Sequence, residues 1–294
     1  MRAAVLALAA AALALAGCGV DSRGGTAVQV LVTTGEGGAT VVQTEAAPKG
    51  TVEAGDVLRE AAGATIDGGR VTAVEGAAAK AGQRFELHVN GRVAGLDDDV
   101  RDGDSLWLDL RTAGSPATPI VVGQFPAPFT TGIEGKRLPI RVECIDQDAV
   151  PCRAVRDALV EQDVAASRGG LQTSLAPETL RVLVGPWDAL RGDLAARTLE
   201  DGPRESGVFA EVARDGKTIT ALDHTGRSVR RLGAGSGIVA GVQLEGAQPV
   251  WVVTGTDARG IEAAAQTFRQ DTLTGRFALA VSPSGELPLP IGAP

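Results

Sequence analysis

The residues best placed to do chemistry are cysteines. Leu15-Ala16-Gly17-Cys18 closes an uncharged Ala/Leu/Val run that follows Met1 and Arg2, the pattern of an export signal ending in a lipid-accepting thiol. In this reading residues 1–18 are a lipoprotein signal peptide and Cys18 becomes the acylated N-terminus. Ala3 to Gly17 would span roughly 22 Å as a helix against a hydrocarbon core of about 30 Å, so a membrane-spanning anchor is disfavoured. An ordinary secretory peptide cut at a small-residue site would not need a cysteine there. The other two thiols, Cys144 and Cys152, stand close together, as a disulfide formed outside the cytoplasm requires. The alternative is a metal pair, but the two histidines, His88 and His224, are both distant in sequence, and a zinc site would lack ligands.

Other stretches resemble chemical motifs and lack the residues that would complete them. Gly233-Ala-Gly-Ser-Gly237 looks like a phosphate loop without the terminal G-K-[ST], and a strand-like run follows it where a helix is needed. Thr254-Gly-Thr-Asp257 stands between a strand and a helix, where backbone N–H groups could hold an anion, although helix capping accounts for it as well. In the acidic run Asp97-Asp-Asp99 with Asp102 and Asp104, a calcium loop started at Asp98 would put Val100 at a ligand position. A G-x-S-x-G motif is absent, and His88 and His224 have no identifiable nucleophile partner. The expectation is a non-enzyme, with no catalytic residue, no metal site and no catalytic cofactor.

The chain has 294 residues and a formal charge of −8, near −9 once Arg2 is removed with the signal, which argues against nucleic acid as a partner. About 276 residues follow Cys18, a length that suits two domains. Basic residues are almost all Arg, aromatics make up 3%, and tyrosine is absent. Gly19 to Thr26 reads as a short polar tether, residues 19–26.

The elements that would carry any site begin at residue 27. Ala27 to Thr33 and Ala39 to Glu45 are β-branched runs flanking Gly35-Glu-Gly-Gly38, a hairpin pattern. Asp56 to Ala62 has helical spacing with Gly63 as its stop, and Arg70 to Val74 is a short strand. From Gln83 to Val93, Phe85, Leu87 and Val89 alternate with Glu86 and His88. Asn90-Gly91 then supplies a tight turn that accepts positive φ, and Asp102-Gly103 launches Ser105 to Leu110.

Gly50-Thr51-Val52 with Val57-Leu58, then Val89-Asn90-Gly91, then Asp102-Gly103-Asp104 with Trp107, resemble in order and spacing a bacterial domain of unknown function related to the C-terminal domain of transcobalamin and intrinsic factor. The resemblance covers residues 27–112. It continues through Pro119 to Phe129, Gly135-Lys136-Arg137 and Val142-Glu-Cys144 into the connector of actinobacterial lipoproteins that carry this domain. It implies a β-grasp-like fold and a surface protein that binds a corrinoid, such as cobalamin, or another small ligand. Phe85 and His88 stand where Trp and Tyr are common in relatives. Asn90, Gly91, Arg92 and Trp107, around the second hairpin, are the candidate ligand contacts; turn geometry and core packing are the competing explanation for them.

Residues 113–134 read as a Pro-rich connector and residues 135–294 as a mixed α/β domain. There Leu138 to Glu143 is a strand, Cys152 to Val164 a helix after Pro151, and Thr179 to Val184 a strand turning at Gly185-Pro186. Ser206 to Ala213, Thr218 to Leu222 and Ser228 to Leu232 form a meander. Ile238 to Leu244 and Pro249 to Val253 are strands, a helix capped at Thr256 or Asp257 runs through Arg269, and Phe277 to Val281 is the last strand. The expected class is α+β: a β-grasp-like domain, then a mixed α/β sandwich with helices on one face of a sheet. The expected role is a binding lipoprotein held on the extracytoplasmic face of the cell membrane, with a small ligand for uptake. The alternative is an accessory protein of a transporter or envelope complex with no small-molecule ligand.

Overall fold

The computed structural model describes residues 27–171 and 178–292. The lipobox with Cys18 and the tether 19–26 lie outside the described residues. Strand and helix are both present, with strand in excess, so the chain is α+β.

The N-terminal region runs β1 (Val28–Thr34), β2 (Ala39–Ala46), β3 (Val52–Glu53), α1 (Ala54–Ala62), β4 (Thr65–Asp67), β5 (Arg70–Val74), β6 (Ala77–Ala78), β7 (Gln83–Val89), β8 (Arg92–Ala94), β9 (Asp99–Val100) and β10 (Ser105–Thr112). Its main sheet has the order β2-β1-β10-β7-β8. β1 lies parallel to β10, and the other neighbours are antiparallel. Alternation decides the faces. Val28, Val30, Val32, Leu87, Leu106 and Leu108 pack against Val57, Leu58 and Ala62 of α1 in one apolar cluster. α1 ends at Gly63 in the left-handed conformation, its N–H bonded back to the Leu58 carbonyl, so the glycine acts as the expected stop. Asn90 and Gly91, at φ 51° and 84°, make the two-residue turn between β7 and β8.

The C-terminal region runs β11 (Ile140–Cys144), α2 (Val150–Val160), β12 (Ala166–Gly169), β13 (Leu180–Val184), α3 (Trp187–Leu190), α4 (Leu194–Arg197), α5 (Pro203–Ser206), β14 (Ala210–Val212), β15 (Ile219–Leu222), β16 (Ser228–Leu232), β17 (Gly237–Val242), β18 (Val250–Gly255), α6 (Ala258–Gln266), α7 (Gln270–Leu273), β19 (Ala278–Ser282) and β20 (Gly285–Leu289). Seven strands form one sheet in the order β12-β11-β13-β18-β17-β19-β20. Its first four strands are mutually parallel and the rest antiparallel. β13, β17 and β18 are buried along their whole length, because layers cover both faces and leave no polar side for alternation. α2 and α6 cover one face, where Phe125, Phe129, Trp251 and Phe268 stack with centroids 5.0 to 6.3 Å apart. The antiparallel sheet β14-β15-β16 and the short helices α3 and α4 cover the other.

The disulfide expected from the paired thiols is present: Cys144 at the end of β11 is bonded to Cys152 in the first turn of α2, with Cα atoms 6.3 Å apart. The stretch read as a connector is largely interior. Ile120, Val121, Val122, Phe125, Ala127 and Phe129 are buried, and they join the outer face of the first sheet to the C-terminal core. β3, β4, β6, β9, β12, β20 and the short helices α3, α4, α5 and α7 are elements that the sequence pattern did not signal; all are short. Among the described residues no helix is long and apolar enough to cross a membrane.

Candidate functional site

The outer face of the first sheet concentrates the unusual chemistry. On β10 the residues Trp107, Asp109 and Arg111 point away from α1, in register with His88, Glu86 and Arg84 of β7, while Leu31 and Thr33 of β1 flank the other side of Trp107 and Asp109. Alternation predicts a polar face here, and a free sheet would expose it. Instead Trp107, His88, Asp109 and Arg111 have no accessible surface. The lid is the connector together with Phe277, which precedes β19; Trp107 meets the Phe277 ring at 4.7 Å and His88 meets it edge-on at 5.9 Å. A methyl group on Gly123 would stand 2.5 Å from the Arg276 nitrogen and 2.9 Å from Trp107 Cζ3. Only glycine lets the two backbones converge above that indole.

Two hydrogen-bonded groups fill the joint. In one, Trp107 Nε1 donates to Thr33 Oγ1 at 2.8 Å, and Thr33 Oγ1 and Gly37 N donate to Asp109 Oδ1 at 2.5 and 3.0 Å. In the other, Arg111 Nη1 pairs with Glu86 and donates to Thr118 Oγ1, while His88 Nε2 meets the Thr118 carbonyl at 2.9 Å. The Arg111 guanidinium also lies over the rings of Phe277 at 5.1 Å and Phe209 at 5.9 Å, so a cation–π contact ties the first sheet to the C-terminal region. Glu36, in the β1–β2 turn, accepts from Thr112 N and Ser115 Oγ.

Burial sets the protonation of this joint. It pushes the Asp109 carboxyl up to about 6, the Glu36 charge adding to the effect while Thr33, Gly37 and Arg111 oppose it. It pushes His88 down to about 4, against the pull of Glu86 and the Thr118 carbonyl, with Arg111 reinforcing it. Burial would also raise Glu86, but Arg111, His88, Arg84 and Thr118 together outweigh it and hold that carboxyl below its ordinary value. Neutral His88 and ionised Glu86 paired with Arg111 are thus the forms at neutral pH.

The four candidate ligand residues sit at or beside this joint. Asn90 Nδ2 donates to Asp104 Oδ1 at 2.7 Å and its Oδ1 accepts from Ser105 N at 2.9 Å. Gly91 N donates to Gln124 Oε1 at 2.7 Å, and its carbonyl accepts from Val121 N at 2.8 Å. Arg92 pairs with Glu134 at 2.7 Å and bridges to Ile120. Trp107 is enclosed. The structure brings Asn90, Gly91 and Arg92 together at the hairpin tip, Gly91 and Arg92 engaged with the connector and Asn90 with the turn before β10, and places Trp107 in the interior beside them. Gln124 is the residue that pattern reading missed: its Nε2 donates to the carbonyls of Ser105 and His88 at 2.5 and 3.2 Å while its Oε1 takes Gly91 N. A glutamine in a Pro-rich stretch carries no signal for that role.

The motif-like stretches resolve into structure. Asp257 Oδ1 accepts from Gly260 N at 2.9 Å, capping α6, while its Oδ2 accepts from Gly235 N at 2.8 Å, so the glycine loop and the T-G-T-D turn hold each other. Asp104 takes the N–H of Arg101 at 2.9 Å in addition to Asn90, and Asp98 takes that of Gly95 at 3.2 Å. Among the described residues no group of three metal-ligating side chains occurs. A separate buried cluster spans the C-terminal sheet, where Arg181 on β13 is bidentate to Glu143 on β11 at 2.9 and 3.0 Å and meets Asp193 at 2.6 Å. An open groove of about 430 Å³ lies on the N-terminal region between Gly55 and Arg59 of α1, Ile66 and Gly69 of the β4–β5 hairpin, and Leu96 and Asp97.

No family model matches this chain, and comparison with curated proteins finds no relative.

Proposed function

We propose that the chain is a lipid-anchored extracytoplasmic accessory protein, which works by presenting a rigid, two-region body to a protein partner at the membrane surface. The closed joint carries this reading. The groups of the first sheet that could have faced a ligand are enclosed, Trp107 and Arg111 against Phe277, Arg111 and His88 on Thr118 and Asp109 within its own sheet, so the outer surfaces remain for binding. The strand order β2-β1-β10-β7-β8, the parallel β1 and β10 pair and α1 on one face support a β-grasp arrangement for residues 27–112. The Cys144–Cys152 bond supports an oxidising location. On Cys18, acyl chains contributing about 0.8 kcal/mol per buried methylene would make attachment durable.

Metabolic labelling with an alkyne fatty acid, followed by membrane fractionation, tests the anchor: label and membrane association should both disappear in Cys18→Ala. Cross-linking from membranes should recover one reproducible partner, and recovery of none would count against the accessory role. A second reading, capture of a small ligand, is favoured by the groove beside α1, whose size falls at the lower end of ligand sites, about 300–1,000 Å³. A corrinoid would overhang it. Titration calorimetry with cobalamin and cobinamide decides that reading, and absence of heat at tens of micromolar would reject it.

A further inference from the structure

The C-terminal region carries a surface that the joint does not use. β16 is the outer strand of the sheet β14-β15-β16. It pairs with β15 in the register Ile219↔Leu232, Thr220↔Arg231 and Ala221↔Arg230. Ser228, Val229, Arg230 and Arg231 are all exposed and Leu232 alone turns inward, so the strand projects beyond the layer beneath it. In an antiparallel pair, alternate residues bond to the neighbour and the others turn N–H and C=O outward. The register shifts at Val229, where Leu222 pairs with Ser228, so the regular part of the outer side, from Arg230 to Leu232, is a short run of main-chain donors and acceptors, a template for one more strand.

Charge sets this edge apart. The chain carries −8 overall, yet β16 and the turn before it hold Arg227, Arg230 and Arg231. Arg227 pairs with Asp223 at 3.1 Å; Arg230 and Arg231 enter no ion pair among the described residues. The carboxylate in register with Arg231 belongs to Glu211, two strands over, at about 9.5 Å by the spacing of strands. The β20 edge of the seven-stranded sheet is blunted differently, since it carries Glu286 and Pro288 and proline cannot donate to a ladder. β16 has no proline, and Val229, 52% exposed, adds an apolar contact beside the two arginines.

Arginines on an edge repel a second copy of that edge, and they also select what pairs with it. We propose that β16 is a docking edge that takes an extended acidic segment of a partner protein as an added strand, adjacent carboxylates meeting Arg230 on one face and Arg231 on the other. The inference rests on the accessory role and names the chemistry of its partner. Because side chains alternate, two neighbouring acidic residues fit this edge, whereas a pair spaced by two would place both on one face. The exposed Asp97-Asp98-Asp99 run of a second copy would dock head to tail, in a contact that grows without closing, so a separate protein is the occupant.

The test uses the full lipidated chain in detergent and a fluorescein-labelled ten-residue peptide of Val and Thr with two adjacent Glu, followed by anisotropy. Two control peptides replace Glu by Lys or carry N-methyl groups at alternate residues. The acidic peptide should bind saturably, at least about ten-fold more weakly to R230E/R231E, and neither control should bind. Equal binding of the N-methylated peptide would reduce the effect to charge attraction and overturn the added strand. Binding to phosphatidylglycerol vesicles, lost in R230E/R231E, with no peptide binding, would assign the arginines to the membrane and overturn it too. So would self-association of the chain that the same substitutions abolish. An unchanged thermal transition in R230E/R231E shows that the fold survives. If the peptide fails while membrane cross-linking still recovers a partner, the docking edge is overturned and the accessory role stands.

Discussion

The two faces of the first sheet come from the same three strands and are held by different forces. On one, Leu106, Leu108, Val30, Val32 and Leu87 lie under α1 in an all-apolar cluster; on the other, one residue along each time, Trp107, Asp109, Arg111 and His88 are buried just as deeply beneath the connector and Phe277, with Glu86 partly exposed at their margin. The first face is completed by residues within the same hundred, and its stability follows apolar area. The second needs chain from Gly123 and Phe277, and its stability depends on each polar group keeping its partner. Burial by itself therefore does not mark a core in this protein, since the outer face is closed and still carries titratable groups.

Removing one partner of the polar face should cost the most. Arg111→Ala removes a fully buried side chain and both ring contacts and leaves Glu86 only the half-exposed Arg84 as a cation, with an expected loss of about 3–5 kcal/mol; urea unfolding measures it, and a loss under about 1 kcal/mol would mean that the pair is not closed off from water. On the apolar face, Leu58→Ala should cost about 2–4 kcal/mol, and its effect should not vary between pH 4.5 and 8, because Leu58 packs within the all-apolar cluster.

Asp109→Asn should act in the opposite direction. The Asp109 pKa is raised in the fold, so its contribution is intact below the unfolded value near 4 and is lost as pH rises through about 6. The amide should stabilise the protein by about 3 kcal/mol above pH 7, and most of the gain should be gone at pH 4. His88 has the reverse sign. Its pKa is lowered, so its contribution is intact above the unfolded value near 6.5 and lost as pH falls through about 4. Between those limits the two residues offset each other: folding removes a proton from His88 and adds one to Asp109. Wild-type stability should thus be nearly flat from pH 6.5 to 4.5, whereas Asp109→Asn should lose about 2 kcal/mol between pH 6.5 and 5, as denaturant midpoints across that range would record. A steep wild-type profile would show that the two shifts do not balance. The smallest effect is expected on the exposed edge, where R230E/R231E should move stability by no more than about 0.5 kcal/mol.

Much of the fold was legible because local rules carry it. The Asn90-Gly91 turn, Gly63 as the stop of α1, Asp257 as a cap, the β14-β15-β16 meander and the Phe85, Leu87, Val89 face all follow from φ preference, capping and alternation. What escaped was short or non-local. β12 and β20 exist because a neighbouring strand offers a ladder, and neither has a pattern strong enough to announce itself. The candidate site was legible only as a list of residues. Trp107 and Asn90 were found by type and turn chemistry, but Thr33, Glu86, Arg111, Thr118 and Gln124 join them through register and through a connector whose prolines read as linker.

Sequence alone determined the strand and helix inventory of the longer elements, the α+β class, the pairing of Cys144 with Cys152 and the polarity of each strand face, because these depend on periods of 2 and 3.6 and on residues near one another in the chain. Tertiary structure alone decided that the polar face of the first sheet would be interior, that Phe277 would cover Trp107, and that between about pH 4 and 6 Asp109 would hold a proton while His88 holds none. Those outcomes depend on which distant backbone settles over the sheet, and desolvation is a property of that enclosure, which no spacing within β7 or β10 encodes.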